Sequence, residues 1–261
     1  MPLGVPKVPF QLSTEDDAMW LDLYNCLYRE RLLFMCQALE EELSNQLIGV
    51  MLYIHSEEEA LEEEREKKEK ERLLKKEQEQ NRLRSEFSLF FDLEYKPDPD
   101  PDPEPEHEIK EVLMYINSPG GPAINGIAIY DVMHYIQAPV NTICAGLATS
   151  SAALVLANGV YGNRIVLPHA RIVLRQPEGS TQGQALEFES EFKEIRRLRQ
   201  TVGILFSNCT GQPLNKISAD LDRQLQLTAL GSKFYGIVDK VSITMDKELT
   251  EEEEEEFYYS F

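Results

Sequence analysis

The sequence predicts an α/β fold made of repeated strand-turn-helix units, with a long helix that protrudes from the body. Two apolar runs, at 112–116 and 142–146, each lead into a glycine-containing turn and then into an apolar helical stretch. An amphipathic pattern over 187–208 indicates one long helix. Repetition of strand, turn and helix favours crossover connections and a largely parallel sheet. The 261 residues are enough for one sizeable core or two small ones.

Residues 14–54 are predicted to be mostly helical. Thr14 precedes three acidic residues and is a candidate N-cap. Apolar residues then recur at helical spacing: Trp20, Leu23, Tyr24 and Leu27. The run at 31–35 predicts a short strand, and residues 44–54 predict a second helix that is mostly apolar and buried.

Residues 57–106 are predicted to be an insertion into a single domain formed by 1–56 and 107–249. Glutamate, lysine, arginine and glutamine make up almost all of its first half, which predicts a solvated single helix or disorder. Prolines alternate with acids from Pro97 to Pro105, which favours an extended, polyproline-like spacer. The main interpretation is a solvated spacer, and the alternative is a docking arm. Residues 250–261 predict an acidic, disordered tail.

Most of the formal net charge of −20 lies on these appendages. Residues 57–110 hold 20 acidic and 11 basic side chains, and residues 246–256 hold 8 and 1, which leaves about −4 on the remainder. The absence of a basic patch argues against nucleic-acid binding. We expect no membrane association, because no apolar run is long enough to span and the N-terminus has no signal or transit pattern. The four scattered cysteines fit a reducing compartment.

The second half of the chain predicts the elements of the α/β domain in order. They are a strand at 112–116, a helix at 125–136, a strand at 142–146, a helix at 150–157, a strand at 165–174 and the helix at 187–208.

Two glycine turns carry the candidate chemistry. Backbone N–H groups at such a turn can stabilise a developing oxyanion, and Gly121 and Ser151 are the candidate donors. Ser150 lies where the second strand ends and an apolar helix begins, which exposes its hydroxyl beside free N–H groups. It is equally well explained as an ordinary helix N-cap.

Seven longer motifs stand out along the chain: MPLGVPKVPF at 1–10, YRERLLF at 28–34, NQLIG at 45–49, INSPGG at 116–121, GIAIYD at 126–131, LPHAR at 167–171 and YGIVD at 235–239. Taken together, these motifs resemble the proteolytic subunit of the Clp protease, ClpP, in the form encoded by plastid genomes. The resemblance implies a ClpP/crotonase-type fold, stacked heptameric rings and a plastid location. It also implies an AAA+ unfoldase partner that uses the ATP and delivers unfolded proteins, so that this chain needs no cofactor.

The resemblance further implies a serine, histidine and aspartate triad, and only the serine is present here. Ser150 follows Gly-Leu-Ala-Thr at the nucleophile position, whereas Arg175 stands at the base position before Gln-Pro and Gln224 stands at the acid position. A guanidinium has no lone pair to accept the serine proton near neutral pH. We therefore expect a noncatalytic subunit, similar to the ClpR members of the family. The alternatives are an active serine endopeptidase subunit using Ser150, and a crotonase-like enzyme acting on thioesters.

No other histidine is predicted to replace the missing base. His169 is six residues from position 175, roughly 20 Å along a strand. His134 is expected to be a packed or surface residue, and His55 and His107, which flank the insertion, are expected to be solvated.

Overall fold

The computed structural model describes residues 6–10, 19–87, 109–180, 182–244 and 247–248. Several expectations lie outside the described residues: the N-cap at Thr14, the proline-rich run, His107 and the acidic tail. The described chain opens with strand β1 (Lys7–Phe10), which pairs antiparallel with β2 (Met19–Asp22), and continues into helix α1 (Leu23–Arg29) and strand β3 (Leu32–Met35).

The predicted helix at 14–54 is wrong over Met19–Asp22, where the chain is a strand. These residues form a strand because their backbone pairs with β1. Trp20 in that strand is 67% exposed. The apolar spacing that predicted a helix therefore does not mark a buried helical face. The short strand predicted at 31–35 is confirmed as β3.

Helix α2 (Glu41–Phe87) runs without a break from the apolar stretch into the charged one. One face of its first turns is buried, through Leu43, Leu47, Met51 and Ile54. Contact with the body extends past residue 57, because Glu58 is only 1% exposed. Every residue from 59 to 78 is exposed. Ion pairs at (i, i+4) spacing, Lys67 with Glu63 at 3.4 Å and Lys70 with Glu66 at 3.0 Å, add modest helix stability. Of the two predicted states, the structure shows the single helix as far as Phe87.

The main sheet confirms the α/β class. Its remaining strands are β4 (Val112–Ser118), β5 (Val140–Thr149), β6 (Arg164–Val166), β7 (Arg171–Val173), β8 (Gln226–Thr228), β9 (Lys240–Thr244) and β10 (Lys247–Glu248). Strands β3, β4, β5, β6 and β9 lie side by side in parallel, with β10 antiparallel at the edge. Strand β7 pairs parallel with β5, and β8 pairs antiparallel with β7.

The single strand predicted at 165–174 is two strands, β6 and β7. Strand β5 is ten residues long, and its first half pairs with β6 while its second half pairs with β7. A turn around Pro168 separates the two partners, where Ala170 N–H donates to the Leu167 carbonyl at 3.0 Å. The split places β7 beside the end of β5, where the candidate nucleophile follows.

The helices of the body are α3 (Ala123–Tyr135), α4 (Ser151–Ala157), α5 (Ala185–Thr210), α6 (Leu214–Asp222) and α7 (Ala229–Tyr235). Every residue of α4 is buried, which makes this helix the centre of the core. The last turns of α5 pack on the body through Val202 and Phe206, whereas its first half protrudes with Phe188 and Phe192 exposed. Among the described helices, none has the length and apolar character needed to cross a membrane.

Helix α7 depends on a side-chain cap at Thr228. The Thr228 hydroxyl accepts a hydrogen bond from Gly231 N–H at 3.2 Å. We expect Thr228→Ala to lower the free energy of unfolding by about 1 kcal/mol, measured as a shift of the urea midpoint, because an orphan N–H loses its partner. Thr228→Ser keeps the hydroxyl and is expected to recover most of that loss. Equal destabilisation by the two variants would show that the cap contributes nothing.

Candidate active site

Ser150 occupies a sharp turn between strand β5 and helix α4. Its backbone has φ 53° and ψ −115°, a conformation that side-chain-bearing residues rarely adopt. Its N–H donates to the Val173 carbonyl at 2.9 Å, which ties the turn to the end of β7. The Ser150 side chain makes no capping hydrogen bond to α4, so the helix-cap explanation has no support. The geometry is that of a nucleophile elbow, in which a strained strand-to-helix turn presents a hydroxyl.

The sheet brings the three triad positions to one edge. Thr149 pairs with Val173 in the parallel β5–β7 ladder, so Ser150 and Arg175 both lie just beyond the carboxyl ends of neighbouring strands. The antiparallel β7–β8 ladder continues past its assigned end, where Leu174 N–H donates to the Leu225 carbonyl at 2.9 Å. The next residues along that ladder are Arg175 and Gln224. The sheet therefore brings Ser150, Arg175 and Gln224, the three positions expected for a triad, to neighbouring places in the backbone.

Neither the Arg175 guanidinium nor the Gln224 amide can act as a general base near neutral pH. The Arg175 guanidinium pairs with the Glu178 carboxylate and is 42% exposed, and its Nε finds no acceptor among the described residues. Gln224, at φ 52°, is exposed and carries a neutral amide. A guanidinium only donates hydrogen bonds, so the proton of the Ser150 hydroxyl has no acceptor at the base position.

The described histidines lie at other places in the fold. His134 on α3 is 3.3 Å from the Asn158 amide, at the end of α4 opposite to Ser150. His169 precedes β7, whereas Arg175 follows it. The expectation that His55 is solvated is wrong: it is 7% exposed, because it lies on the buried face of α2 with its ring 5.1 Å from the Tyr135 ring.

The candidate oxyanion hole is partly occupied by the protein itself. Gly121 N–H donates to Ser151 Oγ at 2.9 Å, and that hydroxyl lies within 3.2 Å of the Gly121 carbonyl, to which it donates. Ser151 is 4% exposed. A Cβ at Gly121 would lie 2.3 Å from the Leu39 carbonyl oxygen, so only glycine fits this close approach. The Ser151 N–H, the first of α4, has no partner within the helix and is the remaining donor.

Two polar contacts at this site are not predicted by the sequence. One is made by the Ser151 hydroxyl, whereas the sequence points only to the backbone N–H of that residue. The other is Asn117, whose Oδ1 accepts Leu147 N–H at 3.1 Å and so joins the two glycine turns. Both contacts link residues 30 apart in the chain, and no local pattern signals them. The only signal in the sequence is weak: Ser151 and Asn117 are polar residues that lie within the turn motifs.

Burial shifts the pKa of two thiols, those of Cys144 and Cys209. Burial raises the pKa of the Cys144 thiol to about 12, so this thiol stays protonated near neutral pH. Burial also raises the pKa of Cys209. Within the described part of the chain, no three side chains of histidine, cysteine, aspartate or glutamate are grouped closely enough to hold a metal ion.

A strained strand-to-helix turn that presents a serine is typical of α/β serine hydrolases, and Ser150 at such a turn places the chain in the class of α/β proteins built like them. Comparison with known sequences narrows this class. The sequence profile described as Clp protease matches residues 104–245. The chain belongs to the Clp protease family.

Relatives named ATP-dependent Clp protease proteolytic subunit are similar over nearly the whole chain. The one from Oltmannsiellopsis viridis is 46% identical over 242 residues, which cover 93% of this chain and 99% of that protein. The one from Chlorella vulgaris is 45% identical over 243 residues, covering 93% and 96%. The one from Ostreococcus tauri is 39% identical over 244 residues, covering 94% and 98%. The family resemblance inferred from the motifs is confirmed.

Proposed function

We propose that this chain is a noncatalytic subunit of the ATP-dependent Clp protease core of the plastid. The observation that carries the proposal is Arg175, which lies at the end of β7 beside the Ser150 elbow where a base is required. Removing a triad member costs roughly four to six orders of magnitude in turnover. Without a base at 175 or an acid at 224, the site retains at most the effect of binding and of one free N–H donor.

The proposed partners are other ClpP-type and ClpR-type subunits in stacked heptameric rings, an AAA+ unfoldase and the unfolded proteins that it delivers. The names of the relatives, which call them proteolytic subunits of an ATP-dependent protease, support this part of the proposal. The protruding half of α5 supports it too, because Leu186, Phe188 and Phe192 are 78%, 49% and 67% exposed. Apolar side chains at this density are typical of a surface that another subunit covers. ATP is used by the unfoldase, so the chain itself needs no cofactor.

A plastid location is supported by the sources of the relatives, which are algae and land plants, among them Chara vulgaris and Marchantia polymorpha. In such a core the chain contributes wall and subunit contacts, while peptide bonds are cleaved at the sites of active neighbours. Residues 1–56 and 107–249 form the subunit body in this proposal, and 57–106 are its insertion.

The second candidate is an active serine endopeptidase subunit. It is favoured by one observation, the strained backbone of Ser150 with its uncapped hydroxyl. A strained conformation is retained where the surrounding structure requires it, and it is a common feature of active sites.

Labelling with a fluorophosphonate probe separates the two candidates. We expect the peptide that contains Ser150 to stay unlabelled in the native complex, while active partner subunits are labelled, because a hydroxyl without a base does not attack the probe. The measurement is mass spectrometry of the digested complex, with a Ser150→Ala variant as the control for background. Labelling of Ser150 above that background would establish the active alternative.

A further inference from the structure

The Arg175 guanidinium has more hydrogen-bond donors than the surrounding protein uses. Among the described residues, its one hydrogen bond runs from Nη2 to the Glu178 carboxylate. Its Nε is buried and finds no acceptor in that part of the chain. Because a buried donor without an acceptor is costly, a ligand oxygen that reaches this group is favoured.

Glu178 is a weak partner for this guanidinium. The two residues are three apart in the chain, and the side chains of Arg175 and Glu178 are 42% and 62% exposed. Ion pairs this open to solvent add little stability, since water and salt screen both charges. Glu178 also contacts a single guanidinium nitrogen, whereas a carboxylate that faces the planar fork accepts two parallel hydrogen bonds. An incoming carboxylate can therefore replace Glu178.

The neighbouring strand brings no counter-charge to this arginine. Gln224 stands at the next position on the β7–β8 ladder and carries a neutral amide. The two acids at the end of α6 have other cations: Asp220 pairs with Arg223 at 2.7 Å, and Asp222 pairs with Arg199 at 3.0 Å. An acid at position 224 would pair with the guanidinium, whereas the amide leaves its positive charge in place.

Ser150 lies beside this charge at backbone level. Its N–H donates to the carbonyl of Val173, two residues before Arg175, and its hydroxyl makes no capping hydrogen bond to α4. Its backbone is strained, with φ 53°. Strain of this kind persists at functional positions, yet in a subunit that cleaves no peptide it has no catalytic use. A bound ligand gives the hydroxyl an acceptor and the strained turn a function.

We propose that Ser150 and Arg175 form a carboxylate site, which binds the C-terminal carboxylate of a peptide. The guanidinium is its charged anchor, and the Ser150 hydroxyl is a second donor. This inference rests on the proposed function, because active neighbours then supply the ligand: each hydrolysed peptide bond yields one new C-terminal carboxylate and one new amine. The subunit would thus hold products of the reaction that its neighbours catalyse.

The test is equilibrium binding of rhodamine-labelled hexapeptides to the purified full chain, measured by fluorescence anisotropy. One peptide, made of alanine and leucine, has a free C-terminal carboxylate, and its twin ends in an amide. We expect the free acid to bind at least about 10-fold more tightly, because hydrogen bonds between charged groups are the strong ones. A third peptide, amidated but with one internal aspartate, should bind like the plain amide. If it binds as tightly as the free acid, the site takes side-chain carboxylates and the assignment to peptide ends is wrong.

Three variants show whether the guanidinium is responsible. Arg175→Gln should remove the preference for the free acid, and Arg175→Lys should keep only part of it, because an ammonium lacks the planar fork. The matched control is Arg171→Gln, which makes the same charge change at the start of β7 and should retain the full preference. Far-ultraviolet circular dichroism checks that each variant is folded. Equal loss in both glutamine variants, or an unmodified chain without any preference, would overturn the carboxylate site.

Fluorophosphonate labelling of the same preparation tests the proposed function separately. Labelling of Ser150 together with a retained acid preference would refute the noncatalytic subunit and support the carboxylate site. An unlabelled Ser150 without any acid preference would do the reverse. Ser150→Ala is expected to weaken binding of the free acid severalfold and to leave binding of the amide unchanged. An equal change for both peptides would show that the hydroxyl is not part of the site.

Discussion

The double variant Arg175→His, Gln224→Asp is expected to gain Ser150-dependent peptidase activity of at least about 100-fold over the unmodified chain. The expectation follows from the sheet, which places both positions beside the Ser150 elbow at backbone level. Histidine supplies the proton acceptor, and aspartate across the β7–β8 ladder orients it. The measurement is hydrolysis of a small fluorogenic peptide by the purified chain.

The control for this gain is the same double variant with Ser150→Ala, which should return to background. The contrary outcome is a double variant that folds, binds the fluorophosphonate probe no better than the unmodified chain and stays inactive. That result would show that features other than the side chains at 175 and 224 also prevent catalysis. Far-ultraviolet circular dichroism distinguishes that outcome from a failure to fold.

Ser151 is expected to limit the restored activity. Its hydroxyl accepts the Gly121 N–H, a donor that an oxyanion would otherwise use. Adding Ser151→Ala to the double variant frees this N–H, and we expect a further rise in kcat, since one oxyanion-hole donor contributes roughly 100-fold or more. A KM change with unchanged kcat would argue against this role.

The strand-turn-helix units could be predicted because their signals are local. Apolar runs such as 112–116 end at glycines, and helix α4 follows Ser150 as the pattern indicates. The positions of Arg175 and Gln224 came from family motifs, since no local pattern relates residues about 50 apart. The structure adds the reason that they belong together, namely the β5–β7–β8 ladder.

Features that depend on distant partners could not be predicted. Strand β2 forms because β1 offers it a backbone partner, which outweighs the helical spacing of Trp20 and Tyr24. His55 is buried because α3 packs Tyr135 against it. The contact of Arg31 with Glu58 joins residues 27 apart and that with Lys110 joins residues 79 apart. In each case a non-local contact decides what the local sequence leaves open.

The largest stability effect is expected at the buried ion pair of Arg164 and Asp239. Arg164 is 2% exposed and donates to both Asp239 oxygens, at 2.8 and 2.6 Å. It also donates to the carbonyls of Ala157 and Cys209, both at 3.0 Å, and Asp239 accepts Gly162 N–H at 2.7 Å. This network joins the end of α4, the end of α5 and the segment before β9. Burial opposes ionisation of Asp239, but Arg164 and the N–H donors outweigh it and hold the pKa of Asp239 below its ordinary value.

Asp239→Asn is therefore expected to lower the free energy of unfolding near neutral pH by about 3 to 5 kcal/mol, because it leaves a buried guanidinium without its counter-charge. Since the folded-state pKa is lowered, the stabilisation is present above the unfolded pKa of about 3.9 and is lost as pH falls through the folded value. The gap between variant and unmodified chain should accordingly shrink in acid, measured by urea denaturation from pH 7 downward. Arg164→Met with Asp239→Leu removes both charges and should recover much of the loss. A gap that does not change with pH would place the effect in packing and not in the charge of Asp239.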